Sequence, residues 1–124
     1  MEVKQKLYIV DKNGEKFLGI GVLWLLKAIG ESGSIRQAAS ALKLSYTKAL
    51  RMLNRLEEHV EYPVITRQHG GESRQGAALT PFGEMLIEQY TAFQKRVKSD
   101  TEESFRDFRV ALERWEDRDA GTDA

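Results

Sequence analysis

The apolar and polar positions at the start of the chain predict a β-hairpin followed by a buried helix. Strand-forming residues flank Asn13-Gly14 in KLYIVDKNGEKFLG, the strongest short-range signal for a hairpin, which we expect over residues 3–18. The next segment, GIGVLWLLKAIGESG, predicts a helix of about ten residues that is apolar nearly all round. Such a helix is buried on more than one side. Its second side is covered either by the hairpin or by a partner chain.

A short amphipathic helix is predicted to begin at Ser34. Ser34 and Gln37 have the N-cap and N3 spacing of a capping box. The apolar residues that follow form a single stripe with helical spacing: Ile35, Ala38, Ala39 and Leu42. The small alanine side chains allow a second helix to approach this stripe closely.

A second helix is predicted after the connection Lys43-Leu44, with Ser45 as its N-cap. At about 100° per residue, most of its apolar positions fall on one side. The opposite side carries five residues that we call the donor arc: Thr47, Lys48, Arg51, Asn54 and Arg55. All five donate hydrogen bonds and none is acidic. The pattern over residues 34–59 therefore predicts a helix-turn-helix.

A second hairpin and a long helical region follow. Tyr62-Pro63 ends the second helix, and two short strands around the loop QHGGESRQG predict a hairpin over 64–79, in the position of a wing. A helix is expected over 80–98 and a helical extension over 99–117, as two helices or one long bent helix. Their apolar stripe exceeds what a small core needs, which favours packing on a partner chain. We expect a disordered tail over 118–124. The fold class is mainly α with small β.

Composition excludes several kinds of site. The 124 residues contain no cysteine, so disulfides, thiolate metal sites and cysteine nucleophiles are excluded. The longest apolar run, Ile20 to Ile29, is about half of a membrane span, and the amino terminus lacks the features of a signal peptide. We therefore expect a cytoplasmic protein.

The net charge of zero conceals an uneven distribution of charge. Residues 1–80 hold 12 basic and 8 acidic side chains, whereas residues 81–124 hold 7 basic and 11 acidic ones. The first part of the chain is therefore mildly basic and the last part acidic. Because the local field matters more than the total, the zero sum does not argue against a nucleic-acid partner.

From Gly21 to about Tyr90 the sequence resembles the amino-terminal DNA-binding domain of ModE-type molybdate-responsive regulators. It is similar, more distantly, to the winged helix of LysR-type regulators. The matching segments are GSIRQAASALKLSYTKAL, the pair Gly70-Gly71 and ALTPFGEMLIEQY; the amino-terminal hairpin fits the ModE type alone. The resemblance implies a winged helix-turn-helix that dimerises through its first and last helices and binds a palindromic operator.

The resemblance does not extend to an effector site. ModE-type regulators carry molybdate-binding domains after this module, with a Ser-Ala-Arg-Asn type motif that this sequence lacks. We therefore expect a standalone module, so that molybdate or oxyanion sensing is not carried over. No cofactor is expected.

The candidate DNA-binding residues lie on both predicted helices and on the wing. They are Arg36, Ser45, Tyr46, Thr47, Lys48, Arg51, Asn54, Arg55, Arg67, His69 and Arg74. Arg51 is the candidate base contact, because a guanidinium can bond guanine with two hydrogen bonds. Arg36 and Arg55 are expected on phosphates, which fix the register without reading the sequence. Arg67 and Arg74 flank the wing loop, and His69 within it is expected to donate to a phosphate.

Other interpretations of these residues remain open. The basic side chains fit a merely solvated surface, and Tyr46 fits the core as well as a contact. His59 and His69 have no cysteine or organised carboxylate cluster beside them, so we expect no metal site. Nor do the residues form a nucleophile–base constellation, so we expect no enzyme. A winged-helix scaffold for protein interactions is the alternative function, with Phe105, Phe108 and Trp115 as a docking segment.

Overall fold

The computed structural model describes the backbone of residues 1–67 and 76–122, with side chains to residue 119. The element order is β1 (Tyr8–Val10), β2 (Lys16–Gly19), α1 (Ile20–Ser32), α2 (Ile35–Ala41), α3 (Tyr46–Val60), β3 (Ile65–Arg67), β4 (Ala77–Leu79) and α4 (Pro81–Thr122). This confirms the mainly α class with small β. The chain divides into two compact units, one of residues Leu7–Thr91 and one of residues 1–6 with the chain from Ala92 onward.

The amino-terminal hairpin is shorter than the predicted 3–18 and continues directly into α1. β1 and β2 are antiparallel, with Ile9 opposite Leu18. The carboxylate of Asp11 holds the turn, because its Oδ1 accepts from the backbone N–H groups of Asn13 at 2.8 Å and Glu15 at 3.0 Å. Gly14 has a φ of 81°, which an L side chain rarely adopts. The Asn-Gly signal therefore located the turn.

The structure confirms the helix-turn-helix. Ser34 Oγ accepts from Gln37 N at 3.2 Å, as expected of the N-cap of α2. Ala38 and Ala39 are at most 2% exposed, and Ala49 on α3 is fully buried. These small side chains let α2 and α3 pack closely, and Lys43 in the turn between them has a φ of 59°.

The core of this unit surrounds α1, which packs against α2, α3, β2 and β4. Leu25, Leu26 and Ile29 of α1 are fully buried. Trp24 on the same helix is nevertheless 53% exposed. The structure is therefore compatible with both predicted coverings of α1. Other elements of the chain cover most of the helix, and the exposed side chain of Trp24 remains accessible to a partner chain.

The base of the second hairpin is attached to the helix-turn-helix and to α4. β3 and β4 are antiparallel, and Ala77 N donates to Gly33 O at 2.9 Å, next to the start of α2. A Cβ on Gly83 would stand 2.3 Å from Val64 O, so only glycine permits this approach of α4 to the strand region. Residues 68–75, with the candidates His69 and Arg74, lie outside the described residues.

α4 is one continuous helix from Pro81 to Thr122. Of the two predicted alternatives, the structure has the single helix. Within it, Thr101 Oγ1 donates to Gln5 Oε1 at 2.8 Å. The helix includes residues 118–122, where we expected a disordered tail. This stretch contains no proline, and each residue added to an existing helix gains a backbone hydrogen bond without a new nucleation cost.

His59 joins α3 to the amino-terminal hairpin, a link that the sequence did not reveal. Its Nδ1 lies 2.8 Å from Arg55 O and its Nε2 3.1 Å from Asp11 Oδ2, while its ring stacks on Phe17 with centroids 4.4 Å apart. Both ring nitrogens face acceptors, so only the imidazolium donates to both. The carbonyl of Arg55, followed by the carboxylate of Asp11, raises the pKa of His59 above 6.5.

We predict that this link weakens as the pH rises. Because the folded-state pKa of His59 is raised, its contribution is complete below the ordinary value of 6.5 and is lost as the pH passes the folded-state pKa. The difference in free energy of unfolding between wild type and His59→Gln should therefore shrink with increasing pH. Urea denaturation from about pH 5.5 to about pH 8.5 measures it. A difference that stays constant over this range would contradict the assignment.

Candidate nucleic-acid interface

The donor arc forms the solvent side of α3. Ser45 Oγ accepts from Lys48 N at 3.0 Å and so caps the helix. Leu53 and Leu56 are fully buried on the opposite side, which fixes the rotation of α3 about its own axis. Four members of the arc are exposed and Arg55 is half-buried; the exposed residues are Thr47, Lys48, Arg51 and Asn54. The predicted separation of apolar and donor sides is therefore present.

Most of the arc borders one shallow, open recess on the surface of α3. The lining residues are Thr47, Leu50, Arg51, Asn54, Arg55 and Glu58. Side chains two helical turns apart share this recess, so a ligand that fills it must extend along the helix. The edge of a base-paired polymer has this form.

Arg55 pairs with an acidic residue whose proximity the sequence pattern did not predict. Its guanidinium pairs with the carboxylate of Glu15, on the amino-terminal hairpin. Glu58, one turn from Asn54, lines the same recess. The arc itself contains no acid, but its carboxyl-terminal end has two carboxylates beside it. Periodicity along α3 gave no signal for Glu15, because the contact joins residues forty positions apart.

Tyr46 packs against the core at the start of α3. It is half-buried, and the guanidinium carbon of Arg36 lies 4.1 Å from the centroid of its ring. This geometry supports the interpretation of Tyr46 as a core residue, and it places Arg36 on α2 beside the first turn of α3. A cation on a tyrosine ring is a favourable contact that also orients the guanidinium.

The remaining candidate that the structure describes is Arg67, which is exposed at the end of β3 with its Cα opposite that of Ala77. It is thus on the wing, as predicted. Within the described chain, no group of three or more His, Asp or Glu side chains is placed to hold a metal ion. None of the helices described is long and apolar enough to cross a membrane.

Comparison with known proteins finds relatives that match part of the chain. The chain is 37% identical over 89 residues to the molybdenum-pterin-binding protein MopB of Rhodobacter capsulatus, covering 72% of this chain and 33% of that protein. It is 39% identical over 66 residues to the DNA-binding transcriptional dual regulator ModE of Escherichia coli K12, covering 53% of this chain and 25% of that one. The chain thus spans a quarter to a third of the length of these relatives.

The fold is shared with a solved structure of a LysR-type protein. The CbnR_DBD–DNA complex superposes with a TM-score of 0.56 at 22% identity, covering 70% of this chain and 94% of that chain. The model of the family described as bacterial regulatory helix-turn-helix protein, lysR family, matches residues 21–84, which is more than half of the sequence. The resemblance to both ModE-type and LysR-type domains is confirmed, and the chain belongs to the bacterial regulatory helix-turn-helix proteins of the LysR family.

Proposed function

We propose that this protein is a sequence-specific DNA-binding transcription regulator that acts as a dimer in the cytoplasm, where bacterial DNA lies. The observation that carries the proposal is the exposed donor arc on α3, directly after a closely packed first helix and before a hairpin in the position of a wing. Family membership supports it, as do the DNA-binding regulator ModE and the CbnR_DBD–DNA complex. None of these proteins is described as an enzyme, and no catalytic role is proposed.

The dimensions of α3 suit the major groove of DNA. The groove is about 12 Å wide, close to the diameter of a helix with its side chains. We assign the base contact to Arg51, which is exposed near the middle of α3. The first turn, from Ser45 to Lys48, meets a phosphate through the backbone N–H groups that precede Lys48 N and through the lysine ammonium. Lys48 N itself donates to Ser45 Oγ. Arg67 with the wing-tip candidates His69 and Arg74 contacts the backbone or the minor groove.

The second copy is proposed to pack on α4. Four large apolar side chains in the described part of α4 from Ala92 onward are exposed: Phe93 at 46%, Phe108 at 58%, Leu112 at 39% and Trp115 at 66%. At about 100° per residue they fall within an arc of about 100°, one continuous side of the helix. A helix that presents this side to an identical helix buries both. Two-fold symmetry would then match a palindromic operator.

We accordingly divide the chain by function into a DNA-binding domain of residues 1–98 and a dimerisation extension of residues 99–117. The same exposed aromatics favour the second candidate function, a scaffold that docks other proteins and does not bind DNA by itself. Retention of genomic DNA fragments at moderate salt separates the two functions. Selective retention supports the regulator, whereas uniform loss of all fragments supports the scaffold.

In the Arg51→Ala variant, the free energy of operator binding should become less favourable by about 1–3 kcal/mol, and the sequence preference at one position of each half-site should relax. The reason is that a bidentate guanidinium distinguishes guanine from other bases. Lys48→Ala is the matched control, because it removes a cation from the same helix without removing a base contact. It should weaken binding evenly across sequences and lower the slope of log affinity against log salt by about 0.9. Even losses across all sequences in the Arg51 variant would refute its role.

Phe108→Asp should convert the protein into monomers, because it places a charge in the centre of the apolar side of α4. Arg106→Asp introduces the same residue on the opposite side of the helix and should leave the dimer intact. Sedimentation equilibrium at micromolar concentration distinguishes the two states. A Phe108→Asp protein with the same molar mass as the wild type would exclude α4 as the dimer interface.

A further inference from the structure

The amino-terminal hairpin holds an acid against the recognition helix by more than one contact. The turn that contains Glu15 is fixed by Asp11, whose Oδ1 accepts from the backbone N–H of Glu15 at 3.0 Å. Asp11 in turn meets His59, one helical turn after Arg55 on α3. The carboxylate of Glu15 is thereby kept beside the guanidinium of Arg55, with which it pairs. The fold thus holds the backbone of Glu15 near α3, while its side chain is 60% exposed.

The carboxylates beside Arg55, at the carboxyl-terminal end of the recess, disfavour the binding of a phosphate there. Glu58 lines the recess together with Arg55, and Glu15 occupies the guanidinium from the hairpin side. A phosphate that reaches Arg55 must therefore replace a carboxylate that is already there. The pair is exposed to solvent, at 40% for the side chain of Arg55 and 60% for that of Glu15. Exposed pairs of this kind are weak, so the exchange is within reach of a polyanion.

We propose that Glu15 competes with a DNA phosphate for Arg55 and so limits the affinity of the protein for DNA. The proposal rests on the proposed function and adds a positioning residue that lies outside the helix-turn-helix. In the free protein Glu15 is the partner of Arg55. In the complex a backbone phosphate competes with Glu15 for the same guanidinium.

A carboxylate beside the contact changes the response of binding to salt. Each phosphate that a protein neutralises adds about 0.9 to the slope of log affinity against log salt, through release of condensed cations. In the wild type Glu15 keeps its pairing with Arg55 in many of the complexes, so this contact adds little to the slope. Removing the carboxylate should restore the full increment.

The test is a double-mutant cycle on an operator selected with the wild-type protein. Glu15→Gln should raise affinity about twofold to fivefold at moderate salt, the range expected of an exposed ion pair, and should steepen the salt slope by about 0.9. In the Arg55→Ala background the same substitution should change neither quantity. Glu88→Gln, which removes an exposed charge from α4, controls for the net charge.

Each outcome of the cycle decides the proposal. An increase that is equal in the two backgrounds would overturn it, because Glu15 would then act by general repulsion of DNA and not through Arg55. Unchanged or weaker binding of Glu15→Gln would also overturn it and would indicate that the pair preorganises Arg55. If the wild-type protein selects no operator, the proposed function is refuted. If the wild type binds an operator and Glu15→Gln does not change that affinity, only the role of Glu15 is refuted.

Discussion

The structure of the recognition surface depends on the packing of α2 and α3 in the core, where both helices bury alanine side chains. Ala38, Ala39 and Ala49 are essentially buried between or beside these helices. A larger side chain there would overpack the contact, at a cost of about 1–3 kcal/mol, and would change the separation of the helices. Because Leu53 and Leu56 fill the core from the same helix, the distance and rotation of α3 are both fixed. The donor arc points to solvent as a consequence of this packing.

The electrostatic properties of that surface are set by elements outside the helix-turn-helix. The amino-terminal hairpin contributes Asp11 to His59 and Glu15 to Arg55, at points one helical turn apart. The first contact fixes the hairpin and the second modifies the charge of the arc. α3 thus has a donor-rich amino-terminal half and a carboxyl-terminal half where acids partly neutralise the arginine. The hairpin is in effect part of the recognition surface.

Local signals made much of this arrangement predictable. The N-caps Ser34 and Ser45 and the turn at Asn13-Gly14 are determined by residues within four positions, and each was found from sequence. Contacts between distant segments were not found, because neither periodicity nor spacing links Glu15 to Arg55. The continuity of α4 was left open for a related reason. The apolar stripe of residues 80–117 has the same helical spacing in one long helix and in two shorter helices.

In the proposed complex, α3 of each copy in a two-fold dimer reads DNA sequence. The most direct measurement is selection of bound fragments from a random duplex library by the wild-type protein. We expect enrichment of an inverted repeat whose half-sites are centred about one helical turn, 10–10.5 base pairs, or a multiple of it apart. Enrichment of no sequence, or of a single half-site without its inverted copy, would contradict it.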